Sequence, residues 1–364
     1  MQKTMLECVT KLIAILLLLL PVGAYGAPAI QSVSGTYSTG STVTIVSTGS
    51  SFGTKSPAAP VLWAPFDTGI SPSSLGRVTT WQENNCIDYV SSGGWAGGAA
   101  KTRDSCSKSS SGTAELGITT SGIGYFFNTL GQKSYIYRHR KMGYTDDTNL
   151  KSLEIMVTGN YTSGNNIVFN HSSGQWITQN ISPASYCYMN QSPAENQWVT
   201  EELITQTASS GGANAFLEWW ANGSLIRSSG QGCQVSWRGS GGTNMDNIKP
   251  AFHGDYNTSG GTLATATERW DDLYVDSTWA RVILGNASTL AASTHREIQI
   301  PTSWSASSIT ISFNQGTFLG GTTAYLFVID SNNAASGGTQ ITIGGGGGGV
   351  PPRVPSPTTN IIVY

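Results

Sequence analysis

The chain has 364 residues and only 11% charged side chains, with 44 glycines. Removing residues 1–26 would leave 17 basic against 20 acidic residues, a net charge of −3. That balance carries neither a basic patch nor a charge run, which excludes a nucleic-acid partner or an anionic membrane surface. The length suits two or three domains.

Lys3 and Lys11 precede the apolar run Leu12–Leu20. Pro21 and the small-residue stretch Val22–Ala27 follow. This is the layout of a secretory signal peptide, too short for a membrane span, and it predicts a secreted or extracellular-surface protein with no span after cleavage. Cleavage is expected after Gly26, with Ala24 at the minus-three position, or after Ala29. The four cysteines beyond the leader are Cys86, Cys106, Cys187 and Cys233. An even count in an exported chain favours two disulfides with three possible connectivities, of which Cys86–Cys106 and Cys187–Cys233 is preferred. No CxxC or histidine cluster gives them zinc-binding spacing.

Short alternating β-branched and aromatic runs recur, at Thr42–Val46, Leu153–Val157, Ile309–Phe313 and Ala324–Ile329, while helical periodicity is almost absent. The expected fold class is all-β. Residues 27–58 hold two strands, and residues 60–278 are aromatic-rich and carry the four cysteines. Residues 280–344 return to simple alternation. The hexaglycine run Gly344–Gly349 and the proline-rich VPPRVPSP then form a linker, before a TTNIIVY segment with strand character.

The stretch AIQSVSGTYSTGSTVTIVSTGSSFGTK resembles the first two strands of an IPT/TIG immunoglobulin-like domain. WSASSITISF (304–313) and GTTAYLFVI (321–329) are similar to the end of such a domain. The resemblance implies one Ig-like sandwich, residues 27–59 and 280–344, interrupted by an insert at 60–279. In the insert, VLWAPFDTG and ERWDDLYVD resemble the paired first and last strands of concanavalin A-like (laminin-G-like) jelly rolls. The WVTEELITQ…FLEWWANGSLIRSS stretch is similar to a hairpin of that family. The fold expected is therefore a jelly-roll sandwich inserted into an Ig-like sandwich, with residues 345–364 as linker and terminal strand. That fold hosts lectins, hydrolases, lyases and plain interaction modules, so a function has to be read from the residues.

On a strand, Trp219 and Trp220 point to opposite faces. Trp219, flanked by Leu217, suits the core. Trp220 shares its face with Glu218, which argues for a solvent-facing or concave position, because burying that carboxylate in an apolar core would be costly. A ring beside a carboxylate suits a sugar, the ring stacking on a pyranose and the carboxylate accepting hydroxyl hydrogen bonds. The plain alternative pairs Glu218 with Arg138 or Arg140.

Tyr135, Tyr137 and His139 share one face of the SYIYRHRKMGY stretch, and Ile136, Arg138 and Arg140 the other. Tyr137 and His139 join Trp220 and Glu218 as the candidate ligand-binding set. Tyr, Arg and His are also lyase chemistry, whereas a Tyr/Arg-lined strand is ordinarily a solvated face. The E-x-D-x-x-E triplet of jelly-roll glucanases does not occur, nor does G-x-S-x-G. Glu201–Glu202 and Asp271–Asp272 are adjacent pairs pointing apart, and the four histidines are scattered.

The jelly-roll resemblance implies a calcium rim between first and last strands, for which Asp67, Asp271 and Asp272 are candidates. The alternative has them bonding local backbone N–H groups. The function expected is a non-catalytic glycan-binding or adhesion module whose partner is a glycan or cell-surface polysaccharide. Alternatives are a structural filament subunit self-associating through its C-terminal segment, or a polysaccharide lyase or hydrolase.

Overall fold

A computed structural model describes residues 26–67, 82–83, 87–102, 113–117, 131–142, 150–157, 166–172, 175–181, 184–188, 196–207, 216–226, 245–249, 251–255, 268–344 and 362–363. The signal segment up to residue 25, Cys86, Cys106, Cys233 and the side chain of Cys187 lie outside the described residues. Among the described residues the chain is all-β, the helical element being one 3-10 turn at Leu290–Ala292. No helix is long and apolar enough to cross a membrane.

Three sheets form. The first has seven strands and draws on both ends of the chain. Ile30–Gly35 pairs with Thr42–Ser47, which pairs with Ser308–Ser312. The order continues through Arg296–Trp304, Arg281–Gly285, Thr323–Ile329 and Thr339–Thr342. Val43 stands opposite Ile311 and Ile45 opposite Ile309. β-Branched residues at every second position fill a half-buried pleated surface, and the exposure of Thr42–Ser47 and Ser308–Ser312 alternates accordingly. Val43, Ile45, Val282, Leu284, Ile309, Ile311, Leu326 and Val328 meet in one hydrocarbon core with Phe52 and Phe313.

Residues 62–276 supply the other two sheets, a jelly-roll-like sandwich. One runs Ala184–Tyr188, Gln175–Ile181, Asn166–Ser172, Leu150–Val157, Ala251–Asp255, Thr113–Gly117 and Gln82–Glu83. In the other, Lys133–Met142 is central. It has Trp198–Gln206 and then Phe216–Ala221 on one side, and Glu268–Asp276 and Leu62–Ala64 on the other. The first and last strands of the insert are neighbours, with Tyr274 opposite Trp63. The Phe216–Ala221 strand turns at Asn222–Gly223, both at positive φ (46° and 72°), into Ser224–Leu225. That is the backbone an Asn-Gly hairpin turn requires. The terminal Ile362–Val363, for which the sequence offered no partner, adds to the edge of this sheet beside Leu62–Ala64.

The two bodies share a seam. On Arg281–Gly285 and Thr323–Ile329 alternate residues face opposite ways: Val282, Leu284, Leu326 and Val328 point into the hydrocarbon core, while Ile283, Phe327 and Ile329 point outward. Outward they meet Trp63, Tyr135, Tyr137, Ile204 and Tyr274 of the insert's sheet, with Trp279 between. Both faces of Lys133–Met142 are thereby covered, and Tyr135–Tyr137, Arg138 and His139 have no exposed surface.

Candidate functional site

Adjacent residues on one strand serve opposite faces. Glu201 points into the insert, where its carboxylate accepts from Arg138 Nε at 2.6 Å and Arg140 Nη2 at 2.7 Å. Glu202 points into the seam, accepting from Arg296 Nη1 at 2.7 Å and the Tyr135 hydroxyl at 2.9 Å. Burial alone would raise both carboxyls, but the guanidinium charges outweigh it, Arg138 and Arg140 for Glu201 and Arg296 and Arg281 for Glu202, and leave both below the usual range. The Glu218 partnership with Arg138 or Arg140 that the sequence suggested is not what forms: the two arginines hold Glu201.

Trp219 is buried, as its flanking Leu217 implied, and Trp220 is half-buried at the margin of the seam. The Trp220 indole N–H donates to Glu218 Oε2 at 3.0 Å, and the Arg296 guanidinium lies 5.4 Å from the ring centroid. The hairpin turn is tucked against the other body: a side chain at Gly223 would collide with the Ser293 carbonyl, and Arg296 Nη2 donates to the Gly223 carbonyl at 3.2 Å.

Tyr137 and His139 lie deeper in the same seam. The Tyr137 hydroxyl donates to the Arg296 carbonyl at 2.8 Å and is 2.8 Å from His139 Nε2. His139 Nε2 is also 3.3 Å from Glu297 Oε2 and 3.6 Å from Asp272 Oδ2, while Nδ1 is 3.2 Å from the Thr200 hydroxyl. Burial, with the charges of Glu297 and Asp272, pushes the Tyr137 phenol well above its ordinary value. Arg138, next in sequence, faces the other way. The lyase-type set therefore does not converge on one accessible point.

Asp271 and Asp272 point apart. Asp272 takes a left-handed backbone (φ 50°) at a register shift between Asp271 and Tyr274, and such bulges re-aim side chains. Asp271 accepts from the backbone N–H of Trp95 (2.7 Å) and Ala96 (3.4 Å) with one oxygen and from that of Asp272 (2.9 Å) with the other. Only the last of these is a local backbone bond; the other two reach a loop about 175 residues away in the chain. Asp67 lies beside Gly97 of the same glycine-rich loop. Asp272 turns toward His139. Among the described residues, the group whose ligating atoms all lie within 4.8 Å of one another is His139, Asp272 and Glu297. Asp67 and Asp271 are not in that group; both border the Gly94–Gly98 loop.

Sequence reasoning missed Glu297 and its surroundings. Glu297 Oε1 accepts from Trp95 Nε1 (2.8 Å) and the Thr317 backbone N–H (3.1 Å), and His295 Nε2 is 2.9 Å away. The Trp95 ring stacks on His139 at 4.3 Å and meets His295 edge-on at 5.7 Å. Gly316 (φ 53°) admits no side chain, because a Cβ there would strike the Glu297 carboxylate. Burial raises the Glu297 carboxyl, but hydrogen bonds with His139 and His295 bring it far below the usual range. No local pattern announces this cluster, since its members come from residues 95, 139, 272, 295 and 297.

No family model matches the chain, and no curated protein matches it. Among solved structures it is similar to the cellulose induced protein Cip1 at 13% identity and a TM-score of 0.37, covering 55% of this chain and 92% of that one. An endo-beta-1,4-glucuronan lyase from the fungus Trichoderma reesei follows at 11% and 0.39, covering 57% and 93%. A marine PL-14 alginate lyase from Aplysia kurodai is 9% identical with a TM-score of 0.42, covering 60% and 99%.

Proposed function

We propose that the protein is a secreted, non-catalytic glycan-binding module of a surface assembly, an IPT/TIG-type sandwich split by a jelly roll, with its sugar contact at Trp220 and Glu218. The observation that carries this reading is the half-buried ring of Trp220 held edge-on to Glu218, with the Arg296 guanidinium over it. An indole fixed by a hydrogen bond offers a rigid apolar platform, and the adjoining Glu218 carboxylate supplies an acceptor for hydroxyls. Against catalysis on the same sheet stand the burial of Tyr137 and His139, the raised Tyr137 phenol and the engagement of Arg138 by Glu201. A general base must reach its substrate. The split reading is supported by the Val43–Ile311 pairing and the core that both chain ends share.

A second reading, a filament subunit without glycan affinity, is favoured by one observation. Ile362–Val363 occupies the edge beside Leu62–Ala64, a place that the same segment of a neighbouring copy could take instead.

A glycan array probed with the mature chain and with Trp220→Ala separates the readings. Binding by the wild type that is lost in Trp220→Ala is expected. Equal binding by both discards the site. No binding by the wild type, together with concentration-dependent light scattering that disappears on deleting residues 350–364, selects the filament.

A further inference from the structure

We infer that His139, Asp272 and Glu297 form a site for one divalent transition ion, of the zinc type, that clamps the two sandwiches together. Two ligands come from the insert's sheet and the third from the split sandwich, so the ion would bridge the seam. The spacing fits. An ion ~2.0–2.2 Å from each ligand in tetrahedral geometry sets neighbouring ligand atoms roughly 3.3–3.6 Å apart. His139 Nε2 stands 3.3 Å from Glu297 Oε2 and 3.6 Å from Asp272 Oδ2.

The surroundings orient each ligand. Glu297 Oε1 is held by Trp95 and Thr317, with His295 beside it, which leaves Oε2 aimed at His139. In the metal-bound form the His139 Nδ1–H would donate to the Thr200 hydroxyl, and the Nε2 lone pair would go to the ion in place of its present contacts with Tyr137 and Glu297. This outer partnership is the usual way a ligating imidazole has its tautomer and ring angle set. The Tyr137 hydroxyl, 2.8 Å from Nε2 and 3.3 Å from Oε2, flanks the remaining side. All three ligands are buried. An imidazole with two carboxylates suits zinc or manganese, whereas calcium takes oxygen ligands. The half-buried Trp95 and His295 border the cluster on the solvent side.

The test uses the full mature chain, stripped with chelator and titrated calorimetrically with Zn²⁺, Mn²⁺ and Ca²⁺, with Co²⁺ absorption as a report on ligand geometry. One equivalent of Zn²⁺ or Mn²⁺ should bind and raise the melting temperature, and Co²⁺ should give the visible bands of a four- or five-coordinate site. Asp272→Asn, which tolerates the left-handed backbone, should weaken binding by more than about 100-fold. Thr200→Val should weaken it about 10–100-fold, the usual cost of losing an outer partner. Thr200→Val removes only one hydroxyl, so it keeps the test open if Asp272→Asn fails to fold. A wild-type chain that binds none of these ions would make the cluster a histidine–carboxylate ion pair and overturn the inference. Affinity unchanged in both variants, or Ca²⁺ binding that is lost in Asp67→Asn and kept in Asp272→Asn, would do the same.

Discussion

The core of the split sandwich and the seam beside it are built from the two faces of the same strands, yet by different chemistry. Val282, Leu284, Leu326 and Val328 look into a core of aliphatic and phenylalanine side chains. One residue away, Ile283 and Phe327 look into a seam of tyrosines and tryptophans interleaved with Glu202, Arg296, His139 and Glu297. Hydrocarbon contacts are non-directional and tolerate small rearrangement. Buried hydrogen-bonded pairs are satisfied only in one relative placement, because a displaced partner leaves a charge uncompensated. The core thus holds a sandwich together, and the seam sets how two sandwiches meet.

The largest test of that contrast is Glu202→Gln, which leaves Arg296 and Arg281 without their carboxylate. It should cost about 3–5 kcal/mol, the penalty for breaking a buried pair from one side. In urea, tryptophan fluorescence and far-UV circular dichroism should then cease to coincide, as the bodies part before either unfolds. Coincident transitions would mean that the seam does not depend on this pair. Ile311→Ala, in the hydrocarbon core, should cost about 2–5 kcal/mol and lower the midpoint while the two probes stay coincident. Separation of the probes in this variant would erase the distinction between the regions.

A smaller effect concerns acid. The folded Glu201 carboxyl lies below its ordinary 4.5 because, despite burial, Arg138 and Arg140 favour its charged form. A depressed carboxylate contributes stability above the unfolded value and loses it as pH falls through the folded value. The urea midpoint should therefore drop as pH falls below about 4.5, and Glu201→Gln should flatten that slope while lowering stability at neutral pH. An unchanged slope would show that Glu201 is not among the groups responsible.

Legibility in the sequence followed periodicity. Thr42–Ser47, Ser308–Ser312 and Phe216–Ala221 each bury every second residue, and each is readable because one face is apolar and the other is not. The Asn222–Gly223 turn was readable from its two residues, and so was the opposite placement of Trp219 and Trp220. Lys133–Met142 misleads for the same reason. Its Tyr, Arg and His side chains look like a solvated face, but residues 134–140 are all buried. The cost of burying them is met by partners far along the chain: Arg138 lies 63 residues from Glu201, Glu202 lies 94 from Arg296, and His139 lies 158 from Glu297. No window of local sequence contains both members of such a pair.

By itself the sequence determined that the described residues are all-β, where their strands alternate and which of two adjacent tryptophans is core, because those properties depend on side-chain period and turn chemistry within a few residues. Tertiary structure alone decided that Tyr137 and His139 are enclosed, that Asp271 and Asp272 part company, and that Glu297 joins them from the other body. Those outcomes turn on which surface comes to cover a sheet, and a charged side chain reads the same in sequence whether water or a buried counter-charge awaits it.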